Sequence, residues 1–431
     1  MGDGHGLRSW LYSGDHAVTK GYKWVLLAML SLAFFFHQAD RVLFGLLTIP
    51  IQEDLHLTDL QIGWVNTALF CTLAVTTPFA GVLGDRFSRK WIITLSLIFW
   101  SLMTVCTGLV GGICGLIFFR SVATGGGESF YAPSAFALLA SHHKETRSIA
   151  MSVHQSALYM GLMFSGALVA WTLKMIGGWR PVFMIFGGAG FILGLIFIFA
   201  LRDAKRDAST KTTSVGVQTE ASLAAGLKAY CCNPSALLAT VGFVAVVFAN
   251  NAYLSWAPKY AARKFSLDVG AAGNGAMLYH HLAAFAAIMI GAFVTDALVK
   301  RRPRTRLVLQ TAALILGAPM LMWIGFAPSV ASCWAAVAAY GICRGLFEVN
   351  THASLFDVIE PRHRATAEGL MTMAAFFVGS LSPLMIGALS DRLGIRGFEI
   401  GFSILGAGYL VGAMALLVSI LFTFNRNKVT E

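Results

Sequence analysis

The chain of 431 residues is 57% hydrophobic and only 12% charged, whereas roughly 25% of the residues of a soluble globular domain are charged. This composition excludes a water-soluble multidomain enzyme, an intrinsically disordered chain and a disulfide scaffold. The net charge of +11 fits either a nucleic-acid partner or basic loops on one side of a membrane.

Long apolar runs dominate the chain. A helix that crosses a bilayer needs about 20 mainly apolar residues, and twelve runs meet this requirement. They lie at approximately 24–49, 62–83, 91–110, 113–140, 148–173, 181–201, 235–257, 271–298, 306–326, 330–357, 366–389 and 399–424. The long polar interruption falls after the sixth run. We therefore predict an all-α membrane protein with a six-helix bundle at 1–201, a cytoplasmic linker at 202–230 and a second six-helix bundle at 231–431.

The distribution of lysine and arginine predicts the orientation of these helices. With the N-terminus in the cytoplasm, 22 of the 32 positive residues fall in inner segments and seven in outer loops, as the positive-inside rule requires. Both termini are therefore expected inside the cell, and the net charge does not indicate a nucleic-acid partner. We expect a multi-pass protein of the cytoplasmic membrane of a bacterium. Three arginines, Arg41, Arg120 and Arg344, fall inside the runs.

The two halves of the chain carry similar motifs, which indicates an internal repeat. The fourth run contains ESFYAPSAF at 128–136, and the tenth contains EVNTHASLF at 348–356. In both halves an arginine opens the next run, as Arg147 and Arg364. The matches are short, but they occur in the same order in both halves.

The segment GVLGDRFSRK at 81–90 resembles the signature loop of the major facilitator superfamily. Within the superfamily, DRFSRK at 85–90, PRHRATA at 361–367 and SPLMIGALSDR at 382–392 are similar to the spinster-like branch, as is the adjacent pair Asp40 and Arg41. The anion:cation symporter branch, with its sialin-type and hexuronate carriers, shares that pair, the fourth-run arginine and glutamate, and the W-x-P at 256–258.

The resemblance implies a twelve-helix transporter that works by alternating access, with no enzymatic activity and no cofactor. It also implies that the signature loop latches the outward-open state, because a carboxylate there can bind the backbone N–H groups at the start of a helix in the other half. The latch residues would be Gly81, Asp85, Arg86, Arg89 and Lys90.

Charged side chains inside a spanning helix are costly unless they face a partner or a water-filled cavity. Asp40 and Arg41 point about 100° apart, so we expect Arg41 to face a central cavity and Asp40 to reach a neighbouring helix. Arg120 and Glu128 are separated by eight residues, where superfamily members typically have seven. A π-bulge within Thr124-Gly-Gly-Gly127 would bring both to one face. We predict that Asp40 or Glu128 carries a coupling proton.

The expected cavity combines guanidinium, aromatic and amide groups. The predicted substrate-binding residues are Arg41, Arg120, Tyr131, Gln155, Asn250, Asn251, Tyr253, Trp256 and Asn350. Because guanidinium matches carboxylate and phosphate geometry, the first hypothesis is a proton-coupled symporter of a small organic anion such as a sugar acid, with Na⁺ as the alternative coupling ion. The second is a carrier of lysophospholipids or sphingoid-type lipids, and the third is a non-transporting sensor.

Other intramembrane groups leave two interpretations open. The i, i+4 spacing of Arg344 and Glu348 fits either a structural ion pair or a functional site. His280 and His281 are either buried, hydrogen-bonded residues or groups that titrate between pH 5 and 8. We expect no metal site, and we expect a monomer whose partners are its substrate, its coupling ion and the bilayer.

Overall fold

A computed structural model describes residues 21–143, 145–203, 220–299, 302 and 304–429, without the side chains of residues 81, 82, 84–86 and 220–223. Every regular element in these ranges is helical. The helices are α1 (Tyr22–Leu46), α2 (Thr48–Leu55), α3 (Asp59–Arg86), α4 (Arg89–Thr107), α5 (Ile113–Gly115), a π-helix (Leu116–Ala123), α6 (Thr124–Glu128), α7 (Tyr131–His142), α8 (Arg147–Ile176), α9 (Trp179–Ala200), α10 (Glu220–Cys231), α11 (Pro234–Phe265), α12 (Val269–Val299), α13 (Thr305–Phe326), α14 (Val330–Glu348), α15 (Thr351–Phe356), a 3₁₀ turn (Pro361–His363), α16 (Arg364–Gly379), α17 (Leu381–Leu393), α18 (Ile395–Val418), a second π-helix (Ser419–Thr423) and α19 (Phe424–Asn427).

Eleven helical stretches of the described chain are long and apolar enough to cross a membrane. The run expected at 113–140 is not among them; it contains Arg120 and Glu128 and is divided into α5, the first π-helix, α6 and α7. Its Gly125-Gly126-Gly127 stretch has low helix propensity. The all-helical membrane architecture therefore holds, with eleven candidate spans in the described chain.

Most helices begin or end within a few residues of the predicted runs, but α11 continues further than expected. It extends through Pro258 to Phe265, so that Lys259, Arg263 and Lys264 lie in the helix and not in a loop. Among these three, Lys259 is buried. The polar segment predicted as a linker contains α10, and residues 204–219 of that segment lie outside the described chain.

Several helix pairs join the part of the chain before residue 204 to the part after residue 219, among them α3 with α17 and α8 with α12. In the α3–α17 pair, a Cβ on Gly63 would lie only 2.9 Å from the Leu384 Cα. In the α8–α12 pair, a Cβ on Gly166 would lie 2.6 Å from the Asn274 Cα. Glycine therefore allows both pairs to approach at backbone distance, which is a common device in membrane helix packing.

Candidate functional site

The two charged neighbours of α1 form separate ion pairs with the broken segment at 113–142. An Asp40 carboxylate oxygen lies 3.6 Å from an Arg120 guanidinium nitrogen. The Arg41 guanidinium lies 3.1 Å from Glu128 and donates a hydrogen bond to it from Nε. The structure therefore brings together the four intramembrane charges that the sequence predicted for this half. Asp40 reaches a neighbouring helix, as expected.

The Arg120 side chain also fixes the backbone of α1. Its guanidinium donates hydrogen bonds to the carbonyl oxygens of Asp40 at 2.9 Å and Arg41 at 2.8 Å. Thr104 of α4 donates to Asp40 at 2.9 Å. Arg120 is fully buried, so it serves this network and contributes no surface to the cavity in this conformation.

The π-helix explains how Arg120 and Glu128 both face α1 despite their spacing of eight residues. It spans Leu116–Ala123 and includes Arg120. The sequence predicted a π-bulge at Thr124–Gly127, which is instead a short α-helix. The kind of irregularity was predicted correctly, but it begins about two turns earlier. The wider turn of a π-helix adds one residue to the spacing between two positions that face the same way. A spacing of eight residues therefore keeps Arg120 and Glu128 on one face.

Each carboxylate of the network keeps one oxygen free. Asp40 Oδ1 and Glu128 Oε1 are buried and have no hydrogen-bond partner among the described residues. The Glu128 carboxylate is fully buried, whereas the Arg41 side chain is 20% exposed. A buried charge is strongly destabilised when it loses its partner. Protonation of Asp40 or Glu128 would remove that penalty and release the paired arginine.

A histidine and a tyrosine support Glu128 from α1 and α7. Gln38 donates to His37 Nδ1 at 2.9 Å, which leaves the His37 Nε2–H to donate to the Glu128 carbonyl at 3.2 Å. Tyr131 stacks on the His37 ring at 5.6 Å and donates its hydroxyl hydrogen to the Leu30 carbonyl at 2.5 Å. The predicted substrate residue Tyr131 is therefore fully buried behind Glu128.

Three of the other six predicted substrate residues donate hydrogen bonds to backbone carbonyls. Tyr253 donates to the Ala276 carbonyl at 2.6 Å, and Trp256 donates to the Pro383 carbonyl at 2.9 Å. Asn350, which lies between α14 and α15, donates to the Leu346 carbonyl of α14 at 3.1 Å. The remaining amide residues, Asn250 and Asn251, each have one buried amide atom without a partner in the described chain.

Gln155 lines a cavity between α7, α8 and α12 with a volume of 320 Å³. The other lining residues are Phe136, Met151, Ser152, Ser156, Tyr159, Phe285, Ile288 and Met289. The cavity lies further along the α8–α12 pair than the close contact of Gly166. Its wall is mainly apolar, with a few hydroxyl groups and one amide.

The side chains of the predicted latch are described only in part. Gly81, Asp85 and Arg86 lie in α3, but their side-chain surroundings lie outside what the structure describes. The Arg89 guanidinium donates to the Ala137 carbonyl at 3.3 Å. The backbone N–H of Lys90 lies 3.4 Å from an Asp203 carboxylate oxygen.

A charged cluster that the sequence analysis missed joins α3, α11 and α17. Buried Lys259 contacts the carboxylate of Asp59 and the side-chain oxygen of Gln52. The Asp391 carboxylate accepts hydrogen bonds from the backbone N–H groups of Asp59 at 2.8 Å and Leu60 at 2.9 Å, which lie at the start of α3. The sequence contained a signal for Asp391, because GALSDR at 387–392 repeats the pattern of GVLGDR at 81–86.

The second half contains its own intramembrane ion pair. The Arg344 guanidinium lies 3.2 Å from the Glu348 carboxylate, one turn along α14, and 3.3 Å from His280 Nε2 of α12. The neighbouring His281 binds the Met277 carbonyl at 2.8 Å. Both histidines are fully buried.

Comparisons with known proteins agree with this architecture. The sequence model described as Major Facilitator Superfamily matches residues 29–383. Protein spinster homolog 1 of Xenopus tropicalis is 27% identical over 91% of this chain and 77% of its own length. The sphingosine-1-phosphate transporter SPNS2 of Danio rerio is 25% identical over 86% of this chain and 76% of its own length.

A solved structure has a similar fold. The crystal structure of a bacterial homologue of the human lysosomal transporter Spinster, inward-facing and unoccupied, superimposes with a TM-score of 0.82. The two are 20% identical, and the alignment covers 96% of this chain and 99% of the other. The family match and the helical spans establish that the chain belongs to the major facilitator superfamily and is a multi-pass membrane transporter, and its sequence and fold are similar to those of spinster proteins.

Proposed function

We propose that this protein is a proton-coupled secondary transporter of an organic anion that works by alternating access. It would do so with twelve membrane-crossing segments, arranged as six-helix bundles at 1–201 and 231–431 with the linker at 202–230. Both termini would be cytoplasmic, as the distribution of lysine and arginine predicts. We also propose a monomer in the cytoplasmic membrane of a bacterium.

The proposal of proton coupling rests on the two ion pairs that α1 forms with the broken segment. Asp40 and Glu128 are buried, each has an oxygen without a partner, and each contacts an arginine of the network. Proton binding would neutralise one carboxylate and weaken one helix-to-helix contact. A switch of this kind can bias two conformations of a transporter that differ in that contact.

The cluster around Asp59 supports an inward-facing conformation. It joins the two parts of the chain at the start of α3 and near the ends of α11 and α17, which the predicted orientation places outside the cell. We propose that Asp391 closes this outer end. In the outward-facing state, Asp85 of the signature loop would close the inner end by binding backbone N–H groups of a helix in the other half, with Gly81, Arg86, Arg89 and Lys90 as the other latch residues.

A small organic anion such as a sugar acid is the first candidate substrate. Its support is the partly exposed Arg41 together with Gln155 in the cavity wall. A guanidinium binds carboxylate, and an amide reads hydroxyl groups. The roles of the other predicted binding residues, namely Arg120, Tyr131, Asn250, Asn251, Tyr253, Trp256 and Asn350, stay predictions for the bound states.

An amphipathic lipid of the lysophospholipid or sphingoid type is the second candidate. The apolar side chains of Phe136, Met151, Phe285, Ile288 and Met289 give the cavity a wall suited to an acyl chain. A relative that aligns with 86% of this chain is named a sphingosine-1-phosphate transporter. Sugar acids and the phosphate-bearing lipids share an anionic group, and they differ in the length of the apolar part.

Transport by purified protein in liposomes tests the proposal. Uptake of radiolabelled gluconate, glucuronate and lysophosphatidate would be measured with an imposed pH gradient, with an imposed Na⁺ gradient and with neither. We expect the pH gradient to drive accumulation of one anion class, and a protonophore to abolish it. Accumulation that follows only the Na⁺ gradient would replace H⁺ as the coupling ion, and equal uptake without any gradient would contradict coupled transport.

A further inference from the structure

Arg344 lies where two helices of the second half are in close contact. Gly341 and Gly345 of α14 face the backbone carbonyls of His280 and Ala284 of α12, at distances that leave no room for a Cβ atom. This packing holds Arg344 beside α12, with one guanidinium nitrogen 3.3 Å from His280 Nε2. Burial of an arginine in a membrane helix costs free energy, so an arginine at such a position indicates a functional site.

Arg344 is held less firmly than the arginines of the first half. Arg120 contacts a carboxylate and also donates to two backbone carbonyls on α1. The carboxylate partner of Arg344 is Glu348 on its own helix, and the Glu348 side chain is 36% exposed. Glu128, by contrast, is completely buried. After separation from Arg344, the Glu348 carboxylate can still be solvated at its exposed side. Breaking this ion pair should therefore cost less free energy than breaking either pair of the first half.

Tyr159 connects this ion pair with the 320 Å³ cavity. It lies on α8 and lines the cavity together with Gln155. It also packs in one cluster with Ala284 of α12, whose carbonyl oxygen faces Gly345, the residue that follows Arg344. The Tyr159 hydroxyl is buried and has no hydrogen-bond partner among the described residues, and the same holds for His280 Nδ1. A cation and unpartnered polar groups therefore converge on one side of a mainly apolar space.

We propose that Arg344, which lies beside this cavity without lining it in the present conformation, binds the anionic group of the substrate, and that Glu348 occupies its guanidinium until a substrate carboxylate or phosphate replaces it. Tyr159 donates a hydrogen bond to the bound anion, and the apolar wall contacts the rest of the substrate. Binding would thus exchange an ion pair within α14 for one between substrate and protein, bridged to α8. This assignment rests on the proposed function, since it names the anion site of that transporter.

Equilibrium binding to the full-length protein in nanodiscs of neutral phosphatidylcholine tests the site. The probes are gluconate, dodecyl phosphate and, as an uncharged control, dodecyl maltoside. We expect Arg344→Gln to weaken binding of the anionic probe at least tenfold, because a charge-assisted hydrogen-bonded contact is lost. Glu348→Gln should strengthen binding, because the competing carboxylate is removed. Neither variant should change binding of dodecyl maltoside.

Arg306→Gln is a matched control, since Arg306 forms an ion pair with Asp357 at 2.6 Å and makes no described contact with His280, Glu348 or Tyr159. Its affinity for the anion should equal that of the unchanged protein. Arg344→Lys keeps the charge but not the guanidinium fork, and should give an intermediate affinity if Arg344→Gln does not fold. The preferred anionic probe, gluconate or dodecyl phosphate, distinguishes the two substrate classes.

Two results would overturn the assignment, and they are distinguishable. If the unchanged protein binds and transports an anion and Arg344→Gln or Arg344→Lys binds it equally well, the anion site lies elsewhere while the proposed function stands. If the unchanged protein neither binds nor transports any anionic probe, both the site and the proposed function fail.

Discussion

Asp40 and Arg41 are adjacent in α1, yet they form ion pairs with different residues of the broken segment, Arg120 and Glu128 respectively. Neighbouring side chains on a helix point about 100° apart, so one pair can be buried while Arg41 of the other pair stays 20% exposed. The arrangement links the charge state of each carboxylate to the contact between α1 and that segment.

Neutralising Glu128 should uncouple transport from the proton gradient. In Glu128→Gln, the side chain keeps its size but cannot exchange a proton, so uptake driven by a pH gradient should fall at least about tenfold while substrate exchange at equal pH persists. The measurement is uptake and counterflow in proteoliposomes, and Asp40→Asn is tested in parallel. If driven uptake is undiminished in both variants, neither residue carries the coupling proton.

Asp54 provides the control for these substitutions. It lies in α2, outside the predicted membrane spans, and pairs with Arg180 at 2.8 Å. Hydrogen bonds from Arg180 and Trp179 hold the pKa of this carboxyl below its ordinary value, so it remains charged at neutral pH. Asp54→Asn removes a carboxylate without affecting the network, and its driven uptake should equal that of the unchanged protein.

Arg120 should contribute more to stability than any exposed arginine. Arg120→Leu leaves Asp40 buried without its cation and removes two hydrogen bonds to α1, which should lower the free energy of unfolding by about 3–5 kcal/mol. Thermal unfolding in detergent reports the loss. Adding Asp40→Asn should restore part of it, because the unpaired charge is then absent. Arg362→Gln, which removes an exposed pair with Glu360, should change stability by less than about 1 kcal/mol.

Much of the fold follows from local sequence. The apolar runs coincide with the observed helices because a bilayer demands continuous apolar length, and the motif at 81–90 indicates the superfamily. The sequence also indicated that Asp40 reaches a neighbouring helix, although it did not identify the partners of Asp40 and Arg41. Unpaired charges inside apolar runs must find each other, and this half contains only four.

Contacts between distant parts of the chain were harder to predict. Lys259 follows Pro258 in an apparent loop, and its partner Asp59 is about 200 residues away, so no local pattern assigns it to a buried pair. The π-helix was expected at the glycines, where the backbone is most permissive. Its observed position includes Arg120, whose hydrogen bonds to α1 are tertiary contacts.

Asp391 should stabilise closure of the outer end. Asp391→Asn keeps one acceptor but loses the negative charge at the start of α3, a contribution of about 0.5–2 kcal/mol, so α3 and α17 should separate more often. Cys71 of α3 reports this separation, because its sulfur contacts Ser380 Oγ at 3.1 Å. We expect alkylation of Cys71, followed by peptide mass spectrometry, to accelerate several-fold.

Exposed Cys114 serves as the internal reference for that measurement, and its alkylation rate should not change. Asp268→Asn is a second control, since Asp268 accepts a hydrogen bond at the start of α12 but makes no described contact with α3. An unchanged rate at Cys71 in Asp391→Asn would show that the carboxylate does not hold the outer end closed.

Gly63 should tolerate no side chain, although alanine normally favours a helix. Gly63→Ala places a methyl group 2.9 Å from the Leu384 Cα, where backbone atoms cannot yield without separating α3 from α17. Thermal unfolding should show a loss of about 1–3 kcal/mol. Gly408→Ala is the matched control: it lies within α18, a Cβ there meets nothing within 4 Å, and the substitution should stabilise by about 0.5–1 kcal/mol. The opposite signs separate crowding at the helix contact from helix propensity, and a stabilising Gly63→Ala would mean that the α3–α17 contact is looser than described.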